Sequence, residues 1–156
     1  MAEFKDSSEL QLVVFKLGDE EYGVEIMQVQ EIIRVMETTR VPKAPNYIKG
    51  VINLRGNVIP VIDLKKRFSL AESEVDDQTR IMVVEVQEYT VGMIVDCVSE
   101  VLRLSSEAIE PTPPAFSNLS NDYIKGVGKL EDRLLILLDI DTTLTVSEMS
   151  DLEKVS

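Results

Sequence analysis

The sequence predicts a mainly β fold with short helices, arranged as two small barrels rather than a parallel α/β sheet. Two internal repeats and a run of short, turn-bounded strands carry this expectation. First, Tyr47-Ile-Lys-Gly-Val-Ile-Asn-Leu-Arg-Gly-Asn-Val-Ile-Pro-Val-Ile-Asp-Leu64 returns 76 positions later as Tyr123-Ile-Lys-Gly-Val-Gly-Lys-Leu-Glu-Asp-Arg-Leu-Leu-Ile-Leu-Leu-Asp-Ile140, with seven of 18 positions identical. Second, Gly23–Arg34 lines up with Gly92–Arg103 at an offset of 69, where Gly, Val, Glu and Arg coincide. The change of offset puts seven extra residues between Arg103 and Tyr123, among them Pro111, Pro113 and Pro114, and extra length there reads as a loop. Each copy alone is marginal in size, so the halves are expected to share one core over residues 1–156.

The elements follow in order. Met1–Glu9 is expected to be loose. Leu10–Leu17 is apolar and β-branched, Gly18-Asp19 supplies a turn, and Glu21–Ile26 completes a hairpin. Val29, Ile32, Ile33 and Met36 then recur at three- and four-residue spacing, which predicts a short amphipathic helix with Gln30, Glu31 and Arg34 on its polar face. Pro42 and Pro45 mark a loop. Tyr47–Leu54 and Val58–Asp63 form a second hairpin around Arg55-Gly56-Asn57, with Gly56 free to take the positive φ of a tight turn. Polar, acidic Ser69–Gln78 reads as an exposed connector.

The second half repeats the plan. Thr79–Val86 and Thr90–Val95 form its first hairpin, Val95–Leu104 its helix, and Tyr123–Leu130 with Arg133–Leu138 its second hairpin. The expected barrels cover about 10–68 and 79–140. Residues 142–155 place Leu144, Met149, Leu152 and Val155 at roughly helical spacing, so a C-terminal helix capped by Thr142 or Thr143 is expected to close the core.

Composition narrows the function. Twenty-eight acidic against 16 basic residues give a net charge of −12. That charge repels nucleic acid and anionic lipid, leaving proteins or small molecules as partners. Lys65-Lys66-Arg67 reads as a solvated helix face. No stretch approaches the ~20 apolar residues of a membrane span and Met1–Glu9 lacks a signal-peptide core, so a cytoplasmic location is expected. The sequence contains no histidine, which removes the usual base of Ser or Cys triads, the commonest zinc ligand and the usual phosphorelay acceptor. Cys97 reads as a small hydrophobe on an apolar helical face. With no Gly-rich phosphate loop, CxxC pair or EF-hand loop, no cofactor or metal is expected.

One catalytic motif is tempting. Asp139-Ile-Asp-Thr-Thr143 after an apolar strand is similar to the nucleophile motif of haloacid dehalogenase-type phosphohydrolases. Those enzymes need a magnesium site and a downstream lysine, and only residues 145–156 remain after the motif. Asp139 instead reads as ending a strand and Asp141 as starting a helix. Its repeat partner, Asp63, lacks the DxT continuation, so both are read as structural. Asp19-Glu20-Glu21 and Glu72–Asp77 lack apolar walls and read as solvated charge.

Exposed positions that differ between the copies are where specialisation is expected. Asn53-Leu-Arg-Gly56 becomes Lys129-Leu-Glu-Asp132. Arg55 is either an ordinary turn arginine or a planar donor fork for a partner's carboxylate or carbonyls. Val29–Ile33 is either core or a partner groove, and Phe116 either a buried anchor or an interface aromatic.

Several of these motifs together are specific. Leu17-Gly-Asp-Glu-Glu-Tyr-Gly23, Val29-Gln-Glu-Ile32, Ile48-Lys-Gly-Val51, Asn53-Leu-Arg-Gly56 and Val61-Ile-Asp-Leu64 closely resemble the CheW-like family of chemotaxis coupling proteins. Val95-Asp96, Val98-Ser-Glu-Val-Leu102 and Asp132–Leu137 fit the same pattern, so the resemblance spans roughly residues 10–150. It implies two intertwined SH3-like five-stranded barrels around a shared core, without enzymatic activity. The implied role is an adaptor coupling transmembrane chemoreceptors to the histidine kinase CheA, cytoplasmic and recruited to the inner face of the membrane through receptors. In that family the kinase's regulatory domain has the same double-barrel fold, and CheW-like domains alternate in rings. Carried over by position, Val29, Glu31, Ile32, Arg55 and Val98 would face the receptor tip, lying in the groove between barrels. Thr38, Thr39 and Phe116 would face kinase-type barrels. The same fold also occurs at the regulatory end of the kinase and in CheV proteins. Neither a kinase nor a receiver domain is present here, and Met1 with a closing helix argues against a piece cut from a longer chain.

Overall fold

The computed structural model describes residues 9–68, 70–71, 74–111 and 124–142. The first hairpin forms as expected, from β1 (Glu9–Leu17) and β2 (Glu20–Glu25), and Glu9 already belongs to it. A 3-10 turn at Ile26–Gln28 leads into β3 (Val29–Arg34). The second hairpin is β4 (Ile48–Leu54) with β5 (Asn57–Asp63), followed by the single-turn helix α1 (Leu64–Arg67). The second half supplies β6 (Arg80–Val86), β7 (Tyr89–Val95), β8 (Cys97–Ser105), β9 (Ile109–Glu110), β10 (Ile124–Lys129) and β11 (Leu134–Leu138). Ile140–Thr142 forms a last 3-10 turn, and the expected C-terminal helix otherwise lies outside the described residues.

The two amphipathic helices expected after the first hairpins are strands. β3 pairs antiparallel with β6, and β8 with β1. The misleading period has a physical source. A bulge between Val29 and Glu31 inserts Gln30, so Val29 lies across from Val84 and Ile32 across from Met82, on one face but three residues apart. The same irregularity puts Val98 opposite Phe15 and Val101 opposite Val13. A bulge therefore converts the period of two into a helix-like three. Cys97 accordingly opens a strand, half-buried, and does not sit on a helix.

The strand orders are β3-β6-β7-β5-β4 and β8-β1-β2-β11-β10-β9. Each sheet curls until its edges meet. Just beyond β3, Thr39 bridges Val51 of β4 at the far edge; beyond β8, a 3-10 turn leads to β9, which pairs with β10. Strands β8 and β9 act as one interrupted strand, giving two five-stranded barrels. Their membership corrects the contiguous barrels expected over 10–68 and 79–140. Hairpin β1–β2 lies between β8 and β11, whereas β6–β7 lies between β3 and β5, with parallel seams at β2–β11 and β5–β7. Each half thus places its first hairpin in the other half's barrel. Two similar hairpins carry no local signal for which barrel accepts which.

This exchange sets the core. Leu12, Val14, Leu104, Leu135 and Leu137 fill one barrel, and Ile52, Ile59, Val61, Ile81 and Val83 fill the other. A larger cluster between them takes Val13, Phe15 and Leu17 from β1 and Met82, Val84 and Val86 from β6. The exchanged hairpins are buried on both faces, which is why Leu12–Phe15 and Ile81–Val84 read as continuous apolar runs.

The repeated Ile-Lys-Gly-Val has a structural cause. A Cβ on Gly50 would stand 2.2 Å from the Thr39 carbonyl oxygen, and one on Gly126 would stand 2.7 Å from that of Glu110. Glycine at these two positions lets the closing segment approach the barrel edge. Asp63 caps α1, accepting from the amides of Lys65 (3.0 Å) and Lys66 (3.3 Å), and Asp139 accepts from Asp141 N at 3.1 Å. Both aspartates serve the fold, as expected. Lys65-Lys66-Arg67 is not simply a solvated face: Lys65 is only 6% exposed and pairs with Asp96 at 2.8 Å, and Arg67 lies over the Tyr47 ring.

Candidate functional site

The tip of hairpin β4–β5 is a two-residue turn. Arg55 (φ 52°) and Gly56 (φ 87°) both take positive φ, the conformation of a type I′ turn, and Asn53 Oδ1 accepts the Gly56 amide at 2.9 Å. The expected third turn residue, Asn57, instead begins β5. This places the Arg55 side chain against β3, where Nη2 donates to Glu31 Oε2 in an ion pair. The pair joins the two edges of its barrel. It borders a hollow of about 330 Å³ whose walls include Ile59 and Val83 from the barrel core and exposed Val58. Arg55 remains 67% exposed, so part of its fork still faces outward.

Beside this pair the bulge aims Ile32 outward, 38% exposed. Val29 packs half-buried against the shared core between the barrels. Val98, its repeat equivalent, does the same from β8. Glu31 and Arg55 therefore meet directly, while Val29 and Val98 reach the same core from the two copies. Thr39 is exposed and engaged through its backbone with Val51, and the Thr38 hydroxyl donates to the Met36 carbonyl at 3.2 Å. Thr38 lines a separate hollow of about 800 Å³ together with Arg40, Lys49, Lys65 and Asp96. Phe116 lies outside the described residues.

The sequence reading overlooked Val101. It is the repeat equivalent of Ile32, projects from the inter-barrel face of β8, and is 52% exposed. The 69-residue offset was the signal that could have found it. It also overlooked a second ion-pair arrangement. Glu100, equivalent to Glu31, is held by Arg133, which corresponds to Asn57 and not to Arg55. Arg133 also reaches Glu21 at 3.0 Å, and its hydrogen bond to Glu100 pushes the guanidinium pKa further up. One carboxylate position is thus served by different arginines in the two barrels: one arginine is shared by two carboxylates, and Arg55 pairs with Glu31 at the tip of a turn.

Among the described residues no group of three or more His, Cys, Asp or Glu could hold a metal. No helix there is long and apolar enough to cross a membrane. The arrangement offers surfaces and paired charges.

The family model for the CheW-like domain matches residues 11–148. The chemotaxis protein CheW of Klebsiella aerogenes is 40% identical over 146 residues, covering 94% of this chain and 88% of that protein. CheW of Bacillus subtilis is 39% identical over 133 residues, 85% of either chain. The crystal structure of the scaffolding protein TtCheW from Thermoanaerobacter tengcongensis superposes with a TM-score of 0.82 at 37% identity, over 89% of this chain and 94% of that one. The chain belongs to the CheW-like family of chemotaxis proteins, a family of non-enzymatic scaffolds.

Proposed function

We propose that this protein is an adaptor that couples transmembrane chemoreceptors to the histidine kinase CheA in signalling arrays, working in the cytoplasm and drawn to the membrane only through receptors. The observation that carries this reading is the Glu31–Arg55 pair flanked by outward-facing Ile32. It sets a charged pair beside an aliphatic contact at the edge of the seam between barrels, where Val29 and Val98 are half-buried. Such a surface fits a helical hairpin: aliphatic residues supply contact area, and the charges fix register more than they add affinity. Val29, Glu31, Ile32, Arg55 and Val98 are the proposed receptor contacts. Thr38 and Thr39, on the segment closing the first barrel, and Phe116 are the proposed contacts for the kinase regulatory domain and for other CheW-like domains in rings. Many repeated contacts of moderate strength suit an array.

Arg55→Glu tests the receptor assignment. The expected result is loss of binding to a receptor cytoplasmic fragment with the regulatory domain still bound and the β-rich circular dichroism unchanged. Receptor binding equal to that of the unmodified protein would remove Arg55 from the site.

A further inference from the structure

Every strand pairing that is not part of a hairpin or a barrel closure joins residues 9–68 to residues 80–142. The seams are β1–β8, β2–β11, β3–β6 and β5–β7. Hairpin β1–β2 is flanked on both sides by strands of the second half, and β6–β7 on both sides by strands of the first. The large shared cluster likewise draws on both halves. What links the halves covalently is the connector, whose residues Glu74–Gln78 are exposed. From this we infer that the chain has a binding partner in a second copy of itself, with which it exchanges halves: residues 9–68 of one copy complete their barrels with residues 80–142 of the other, and reciprocally.

The exchanged pair contains the same strand seams and cores as two separate copies. Only the course of the connector differs, so the balance between closed monomer and exchanged dimer depends on the concentration that the connector imposes on one half around the other. Asp76 holds the end of the connector in a turn with Thr79, and a short tether imposes an effective concentration on the order of millimolar. Closed monomers then dominate at micromolar concentration and exchanged dimers become comparable near millimolar. Strand exchange between identical protomers is a low-cost route to a dimer because no new complementary surface is required.

The register supplies the reporter. Lys16 of β1 is paired with Cys97 of β8, and Arg34 of β3 with Arg80 of β6; both pairs cross between the halves, one in each barrel. Adjacent strands bring Cα atoms within about 4.5–5.5 Å, inside disulfide range. Lys16→Cys, and separately Arg34→Cys/Arg80→Cys in a Cys97→Ala background, would be unfolded in denaturant, refolded at about 10 μM and at about 1 mM, and oxidised after folding. β-rich circular dichroism and gel filtration would select the folded species, and non-reducing electrophoresis would then read whether each disulfide lies within or between chains. The expected result is intrachain disulfide at the low concentration and, at the high one, a dimer fraction of tens of per cent linked between chains at both pairs. Intrachain disulfides alone at both concentrations would overturn the inference. Interchain linkage at 16/97 with intrachain linkage at 34/80 would also overturn it, because that pattern means exchange of the N-terminal hairpin alone. Dimers with Lys16→Cys/Cys97→Ala in the same yield would identify chance crosslinking and count against it too.

Discussion

Gly50 offers the sharpest test of how the barrels close. In Gly50→Ala the new Cβ would stand 2.2 Å from the Thr39 carbonyl oxygen, 2.9 Å from its carbon and 2.7 Å from Thr38 Cγ2. Two of the three obstacles are backbone, so no rotamer change relieves them. The segment has to move away, and the pair of hydrogen bonds that closes the sheet (Thr39 N to Val51 O at 2.9 Å, Val51 N to Thr39 O at 2.8 Å) opens with it. Two backbone bonds contribute about 1–3 kcal/mol. A φ of +153° on a residue with a Cβ adds about 1–3 kcal/mol. The expected destabilisation is therefore about 2–6 kcal/mol, read from urea unfolding with unchanged m-value. Gly56→Ala is the internal control: it also has positive φ, but a Cβ there meets nothing within 4 Å, so only the left-handed backbone cost of about 1–2 kcal/mol remains. If Gly50→Ala lost less than Gly56→Ala, the close-approach argument would be refuted. A further readout follows from the proposed role of Thr38 and Thr39: Gly50→Ala should weaken binding to the kinase regulatory domain more than to a receptor fragment.

Three other outcomes are expected. In a double-mutant cycle, Glu31→Arg/Arg55→Glu should recover most of the stability lost by either single change; the coupling should be at most about 1 kcal/mol and shrink with salt, because Arg55 is mostly exposed. Phe15→Ala removes a fully buried ring stacked on Tyr22 and should cost about 3–5 kcal/mol, measured by chemical denaturation, whereas Val101→Ser at an exposed position should stay within about 0.5 kcal/mol. Burial, helped by the nearby Glu20 charge, raises the Tyr22 phenol above its ordinary 10.0. The folded state holds that proton more tightly than the unfolded chain. This contribution is thus complete below pH 10.0 and is lost as pH rises through the raised value. Tyr22→Phe should flatten the fall in unfolding free energy on the alkaline side, as followed by denaturation at a series of pH values.

Much of the architecture was legible because duplication exposes it. The hairpins at Gly18 and Arg55-Gly56 followed from turn residues between apolar runs, the one between Val86 and Thr90 from its repeat of the first, and the structural reading of Asp63 and Asp139 from their matched positions. The strands β3 and β8 were misread because a bulge imitates the helical period, and a bulge is fixed by pairing with β6 and β1, which a local window does not contain. The barrel membership was illegible for a related reason: β1–β2 and β6–β7 each fit the same environment, and only whole-chain packing distinguishes them. At the candidate site, Arg55 and Glu31 could be singled out, but their mutual pairing depended on the curl that brings a turn against the opposite edge. Lys65 was misjudged because its partner Asp96 is 31 residues away, in the other half.

Because β1 finds its neighbour β8 only 81 to 96 residues later, the order of synthesis matters for this chain. At about 5–20 residues per second, the apolar Leu12–Phe15 segment emerges roughly 4–18 s before the strand that covers one of its edges. The barrel that holds β1 and β2 cannot be finished until β11 is made, since β2 closes on it, whereas the barrel of β3 to β7 draws on nothing beyond Val95. The two barrels therefore complete in order, and the one that holds β1 and β2 comes last, dominated by pairings of high sequence separation and slow for that reason. Hairpin β1–β2 waits longest for its neighbours, and it is the species on which a chaperone, or a neighbouring polysome product, would act.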